Sequence, residues 1–334
     1  MKDIYILGVE TSCDETSISI VKNGSIEIAT STLTQIDTHK DFGGVVPEIA
    51  SRMHSENITM VLSDLLSKTD LKIEDMDAVA VTYAPGLLGS LLVGLEFAKT
   101  LSLVYNKPLI KVNHIAGHIY SNNLNSKMKF PLLALIVSGG HTELVLMKGD
   151  YDFEVIGATL DDAVGEAYDK VAKALNLPYP GGPVIEEYAM KGQDTIDLPK
   201  VMNNDDLNFS FSGLKSQVIN IVNNYKQKNK ELNKYDLALS FQKTAIEQLI
   251  RKTKLALNKT KVNNLIIAGG VSANKHLREE MEKLAKKLNI NLSIPKMKYC
   301  TDNATMIAAA AYPLYLKKDF SKYDINAKSV ERLF

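Results

Sequence analysis

Cysteine is scarce in this chain of 334 residues: Cys13 and Cys300 lie at opposite ends, in no CxxC spacing. That excludes a disulfide framework and fits two free thiols in a reducing compartment. An excess of either charge is also missing, because 39 basic residues meet 39 acidic ones and the formal net charge is zero. No global basic field advertises a nucleic acid, so any such partner has to be met by a local patch. Long apolar runs are absent too. The opening MKDIYILGVETS holds an apolar run of only about four to six residues, too short for the core of a signal peptide, and nothing later approaches a membrane span. A soluble, cytoplasmic protein with no membrane contact is expected. Hydrophobic residues at 45% and charged residues at 23% argue against long disorder, collagen-like sequence and coiled coil. The length suits about two packed domains.

The pattern that is present repeats itself. Ile4 to Val9, Ser17 to Val21 and Ser25 to Thr30 read as three strands, with Asn23-Gly24 as a hairpin turn because both residues accept positive φ. Leu132 to Val137, Thr142 to Met147 and Phe153 to Ala158 read as a second triplet, with turns at Ser138-Gly139-Gly140 and Lys148-Gly149-Asp150. After the first triplet come a helix from Pro47 to Leu66, a strand Ala78 to Thr82, a helix Leu88 to Tyr105 and a strand Leu109 to Val112. After the second come helices at Asp162 to Leu175 and Leu237 to Leu257, a buried strand Asn264 to Ala268 and a helix from Ala273. Such alternation predicts a parallel core covered by helices. Duplicated βββαβα order resembles the actin-like ATPase superfamily, an α/β fold whose two lobes flank a central nucleotide cleft. The lobes are expected at 1–128, with 298–334 returning to it, and at 129–297; the Asn-rich stretch Ser121 to Lys129 is the expected hinge.

Each triplet's first turn bears small polar residues: Thr11, Ser12, Asp14, Glu15 and Thr16, then Ser138, Gly139, Gly140, His141 and Thr142. Successive amides in such turns can hold phosphate oxygens, although ordinary hairpins share the composition. Gly269-Gly270-Val271-Ser272-Ala273-Asn274 runs from a buried strand into a helix, which lets a ligand approach the backbone near a positive helix end; its plain reading is a tight turn capped by Ser272 or Asn274. In DDAVGEAYDKVAKALNLPYPGGP, Val164, Ala167, Val171, Ala174 and Leu175 form a buried stripe while Asp162, Glu166, Asp169 and Lys173 line another face. The following Pro180-Gly181-Gly182-Pro183 reads as a rigid turn that brings backbone toward a ligand held by Asp169.

His114 and His118, at i and i+4 on one helix face, suit a shared metal. Zinc proteases need H-E-x-x-H, and Ile115 stands where the general base would be. Asp302, ahead of the apolar helix Ala304 to Leu316, is either a third ligand or that helix's N-cap. Two histidines and a carboxylate suit iron(II), with zinc as the other choice. From Leu214 to Lys261 eleven Lys or Arg face three acids, a local excess of +8 that a phosphate backbone could use and that a solvated helix surface would equally show.

Taken in order, GVETSCDETS, HIAGH, VSGGHTELV, the DDAVGEAYDK stretch, FSFSGLKS at Phe209 to Ser216, GGVSAN and CTDNATMIA resemble the bacterial TsaD family, tRNA N6-adenosine threonylcarbamoyltransferases once described as O-sialoglycoprotein endopeptidases. The resemblance implies transfer of threonylcarbamoyl from threonylcarbamoyl-AMP to N6 of adenosine 37 in tRNAs reading codons that begin with A, with release of AMP. It implies metal ligation by His114, His118 and Asp302, and donor contacts at Ile136, Val137, Ser138, Gly139, Gly140, Asp169, Gly182 and Asn274. Glu186 is carried over too, where relatives often have aspartate. Asp14, Glu15 and His141 are the candidates for the base that accepts the amine proton. Implied partners are an inactive TsaB-type paralogue, a TsaE-type P-loop ATPase and, as an open question, a second copy of the chain. The competing readings are an actin-like ATPase or small-molecule kinase, which has no use for the histidine pair, and a nucleotide-binding scaffold.

Overall fold

The computed structural model describes residues 2–199, 202 and 204–333. The chain divides into two compact units, Met1–Met128 with Pro295–Phe334, and Lys129–Ile294.

The first unit runs β1 (Tyr5–Glu10), β2 (Glu15–Lys22), β3 (Ile26–Thr34), α1 (Ile36–Lys40), α2 (Pro47–Ser67), β4 (Ala78–Ala84), α3 (Leu88–Val104), β5 (Leu109–Asn113) and α4 (His114–Tyr120). The second runs β6 (Leu132–Val137), β7 (Thr142–Gly149), β8 (Asp152–Ala158), α5 (Val164–Ala174), α6 (Gly181–Ala189), α7 (Ser212–Gln227), α8 (Lys234–Thr260), β9 (Asn264–Ala268), α9 (Lys275–Leu288) and β10 (Asn291–Ser293). The chain then returns to the first unit as α10 (Ala304–Leu316). The sheets are ordered β3-β2-β1-β4-β5 and β8-β7-β6-β9-β10. In each, the first three strands are antiparallel and the last two join in parallel. One topology is thus built twice, which is the expected duplicated α/β architecture.

In the first unit, β1 and β4 are buried almost throughout, so their apolar runs are continuous rather than alternating. Leu7, Val9, Val79 and Val81 pack with Ile58, Leu65 and Leu95 of α2 and α3. The alanine-rich α10 covers β1 and β2, and its small side chains allow close approach: a Cβ on Gly8 would stand 2.4 Å from the Ala304 carbonyl oxygen. Ser17 and Ser19 of β2 face this helix, Ser17 Oγ accepting from the Ala304 amide at 3.0 Å. The second core gathers Leu133, Leu135 and Val137 with Phe209, Phe211 and Phe241. No helix among the described residues is long and apolar enough to cross a membrane, and both cysteines are free thiols.

Several local expectations are corrected. Asn23 and Gly24 do form the turn, at φ 53° and 66°, but the second-triplet turn is centred on Asp150-Tyr151, Gly149 still pairing with Asp152. Pro180 to Pro183 is no free-standing glycine turn: Gly181 opens α6. The helix expected from Ala273 starts at Lys275, after a single 3-10 turn. The Asn-rich stretch Ser121 to Lys129 crosses the boundary between the two units, which falls after Met128, and it begins with Ser121 and Asn122 fully buried.

Candidate functional site

In the first unit, α4 follows directly on β5 because Asn113 caps it, its Oδ1 accepting from the amides of Ile115 (2.8 Å) and Ala116 (3.3 Å). His114 and His118 therefore fall one helical turn apart, with ring centroids 4.7 Å apart. Gly117 between them lets α4 press on α10, since a Cβ there would lie 2.7 Å from Ile307. That contact carries the start of α10 to the histidines. Asn303 caps α10 through Met306 N at 2.9 Å, so the capping role weighed for Asp302 is taken by its neighbour. Asp302 turns instead to the imidazoles, its Oδ1 standing 3.1 Å from His118 Nε2 and 3.4 Å from His114 Nε2.

The ligand atoms of His114, His118 and Asp302 all lie within 4.8 Å of one another. A cation held at the usual 2.0–2.2 Å would separate tetrahedral or octahedral ligands by about 3.0–3.5 Å, so the two His–Asp separations suit one. The surroundings fit as well. Glu10, fully buried at the end of β1, has Oε2 3.2 Å from His114 Nδ1 and accepts from Thr82 Oγ1 at 2.5 Å, while Oε1 accepts from the Ser12 amide at 2.6 Å. Ser12 Oγ is also 3.1 Å from His114 Nδ1. A carboxylate behind the imidazole orients the ring and leaves Nε2 to ligate. Burial opposes charge on His114, yet Asp302 and Glu10 hold it well above the usual imidazole range. Burial likewise opposes charge on Asp302, and the two histidines hold its carboxyl far below the usual range. Burial, then the charges of Asp302 and Asp14, push Glu15 well above the ordinary carboxylate value. A divalent cation bound at Nε2 would take over from the His114 proton in balancing Asp302 and Glu10. Glu10 was not singled out from the sequence; the available signal was an acid closing an otherwise apolar strand.

The second unit brings together most of the remaining residues. Ile136 and Val137 end β6, and Ser138-Gly139-Gly140 turn toward β7, with Ser138 N donating to His141 O at 2.8 Å and His141 N to Ser138 Oγ at 3.0 Å. Among the described residues the Gly139 and Gly140 amides have no protein acceptor, and a Cβ on either would meet nothing within 4 Å. The start of α5 packs beneath, where a Cβ on Gly165 would lie 2.6 Å from Ser138 O. Asp169 Oδ1 accepts from the Gly181 amide at 2.7 Å, which fixes the start of α6 against α5 and leaves Gly182 facing open space. Glu186 Oε1 accepts from the Lys275 amide at 2.6 Å. Asn274, not Ser272, caps α9: its Oδ1 accepts from Leu277 N at 3.0 Å and its Nδ2 donates to Gln242 at 2.8 Å. Asp169, Glu186 and Asn274 thus each have a structural partner as well as a place beside the glycine turns.

The basic stretch is less free than its count suggests. Lys215 pairs with Asp162 at 2.6 Å and Lys243 with Asp194 at 2.5 Å. Fully buried Lys252 donates to both backbone and side-chain oxygens of Asn204 and Asp206 at 2.7–3.2 Å. Arg251 donates to Met202 O at 2.6 Å and Lys259 to Asp205 O at 2.8 Å.

The family model for TsaD, tRNA N6-adenosine threonylcarbamoyltransferase, matches residues 27–309. The chain belongs to this family. A tRNA N6-adenosine threonylcarbamoyltransferase of Staphylococcus haemolyticus is 54% identical over 329 residues, covering 98% of this chain and 96% of that protein. The Staphylococcus carnosus enzyme of the same name is 52% identical over 340 residues, covering 99% of each. Among solved structures, T. kodakarensis HypF matches with a TM-score of 0.63 at 13% identity, over 95% of this chain and 48% of that one. The activator of the 2-hydroxyisocaproyl-CoA dehydratase from Clostridium difficile matches at 0.54 and 15%, over 96% and 99%. These likenesses establish the actin-like fold. The chain is accordingly a transferase that forms N6-threonylcarbamoyladenosine in tRNA.

Proposed function

We propose that the threonylcarbamoyl group comes from threonylcarbamoyl-AMP, that its acceptor is adenosine 37 of tRNAs reading codons that begin with A, and that a divalent cation assists. The observation that carries the cation is Asp302, released from capping by Asn303 and aimed at His114 and His118. These three residues would hold iron(II), or zinc, and the chemistry such an ion supplies when bound is polarisation of an acyl or phosphoryl oxygen. Glu10 and Ser12 orient His114.

In the second unit, the acceptor-free amides of Gly139 and Gly140 suit phosphate or carbonyl oxygens, and Gly182 leaves room for a sugar beside Asp169. Ile136, Val137, Ser138, Glu186 and Asn274 frame that space. The donor is a mixed anhydride, so AMP leaves readily and the protein's work is positioning and charge stabilisation. The N6–C bond forms, the C–O bond to the phosphate breaks, and the amine proton passes to a base. Asp14, Glu15 and His141 are the nominees. Exposed Met60 on α2 and Leu88, Leu92, Leu103 and Val104 on α3 support docking of a TsaB-type paralogue, with a TsaE-type ATPase as the further partner. A homodimer would use the same apolar surface. The work belongs in the cytoplasm, with tRNA.

The test is in vitro modification of such a tRNA with threonylcarbamoyl-AMP, with and without the partners, read by nucleoside mass spectrometry. Modification by the wild type that is lost in His114→Ala/His118→Ala is expected. Steady ATP consumption with no modified adenosine under any combination would replace this reading with an actin-like ATPase.

A further inference from the structure

Resting on the reading of tRNA as substrate, we infer that the groove between α5 and α7 holds the tRNA backbone. This groove encloses about 390 Å³ and is lined by Lys170, Lys173, Lys215 and Lys226, with Asn176 and Asn223 among them and no aromatic ring. Its lysines are of two kinds. Lys170 is held by Asp162 and Glu166, both at 2.8 Å, and Lys215 by Asp162 at 2.6 Å. Lys173 and Lys226 are exposed and, among the described residues, have no carboxylate partner.

The composition of α7 separates an RNA-facing helix from an ordinary solvated one. Its sixteen residues include no Asp or Glu; the polar positions are Ser, Asn, Gln and Lys, neutral donors mixed with cations. By contrast α9 interleaves Glu279, Glu280 and Glu282 with Lys283, Lys286 and Lys287, and pairs Lys283 with Glu280 at 2.6 Å. A face meant only for water gains from such mixed pairs. A face meant for phosphates loses by every carboxylate it carries. Amide side chains such as Asn176 and Asn223 suit phosphate oxygens and 2′-hydroxyls, whereas a protein interface would offer aromatic anchors. The groove also adjoins the proposed donor site: Lys173 stands one helical turn beyond Asp169 on the same face of α5.

The experiment measures binding of the full chain to its substrate tRNA across about 50–300 mM salt, with modification of adenosine 37 assayed on the same samples. Lys173→Glu/Lys226→Glu is expected to weaken binding about tenfold near 0.1 M salt and to lower the slope of log affinity against log salt by about two. The Gln pair should lower the slope with a smaller loss of affinity. Reversal of Lys286 and Lys287 on α9, the same change in net charge on another helix, should alter neither. Unchanged affinity and slope in the α5–α7 variants, or an equal loss from the α9 variant, overturns the proposal. Unchanged tRNA binding together with lost capture of an acidic protein partner assigns the groove to that partner instead. Those failures leave the wild type binding and modifying tRNA; if the wild type does neither, it is the functional reading that falls.

Discussion

Replacing Glu10 with glutamine changes one atom in a buried carboxylate and should cost the proposed metal centre most of its affinity. The Ser12 amide needs an acceptor at the Oε1 position, 2.6 Å away, so the glutamine carbonyl oxygen goes there. The amide nitrogen then takes the Oε2 position, beside Thr82 Oγ1 and 3.2 Å from His114 Nδ1. Thr82 can rotate its hydroxyl to accept, but His114 Nδ1 must accept as well. That moves the imidazole proton to Nε2, the nitrogen that faces Asp302 at 3.4 Å, and removes the lone pair a cation would use. Loss of an orienting carboxylate behind a ligand histidine typically weakens metal binding by about 10–100-fold, or about 1.4–2.7 kcal/mol. The assay is competition between protein and a chelator for Co²⁺ or anaerobic Fe²⁺, with near-UV circular dichroism to establish that the variant packs natively. His118→Ala sets the scale for losing a ligand outright. If Glu10→Gln binds metal within twofold of the wild type while His118→Ala does not bind, Glu10 is a packing residue and the tautomer argument is wrong.

Two further outcomes test the second unit. Gly165→Ala would bring a Cβ to 2.6 Å from Ser138 O and 2.9 Å from Gly139, displacing the glycine turn, so affinity for AMP or a stable donor analogue should fall about tenfold or more in calorimetry with the melting temperature lowered by only a few degrees. Asp161 accepts from the hydroxyls of Ser210 and Ser212 and from the amides of Phe211 (2.8 Å) and Ser212 (3.2 Å); although partial burial opposes it, these donors hold its carboxyl below the ordinary value. A depressed folded-state value adds stability above the unfolded value near pH 4 and loses it as pH falls. Asp161→Asn should therefore be destabilised at pH 7, by about 1 kcal/mol after allowance for its exposure, and its urea curve should converge on the wild type below about pH 4. A constant gap at all pH values would remove the charge from the explanation.

Much of the fold is legible because its signals are local. The Asn23-Gly24 turn, the alternation of β2 and the buried runs of β1, β4 and β6 each lie within a few residues, and their second occurrence at mid-chain gives the duplication away. The elements that escape are short, weak in helical preference or turn-like in composition. β10 spans three residues and is a strand only because β9 lies beside it. α7 carries Leu214, Val218 and Val222 at helical spacing, yet its β-branched and amide-rich sequence has weak helical preference. Pro180-Gly181-Gly182-Pro183 looks like a turn by composition; the Asp169 carboxylate fixing the Gly181 amide is what lets a helix begin there.

The candidate site divides along the same line, between what a helix brings together and what only the folded chain does. His114 and His118 meet because an i, i+4 pair must share a face. Asp302 stayed ambiguous because Asp and Asn are both good caps and stand side by side before α10; the choice was made by geometry, with Asn303 bonded to Met306 N. Glu10 could not be recovered from spacing at all, since its partners Thr82 and His114 are 72 and 104 residues away and reach it only through the β1–β4–β5 pairing. Charge shows the limit most sharply. A count finds eleven cations between Leu214 and Lys261, but a count is blind to partners. Lys252 lies at zero exposure among loop oxygens, Arg251 and Lys259 hold the same loop, and Lys215 and Lys243 face carboxylates. A cation already engaged within the chain contributes less to a phosphate than an unpaired one does, because the new contact must first give up the old. The pull on RNA therefore concentrates on exposed lysines such as Lys173 and Lys226, one of which lies outside the stretch that the charge count marked.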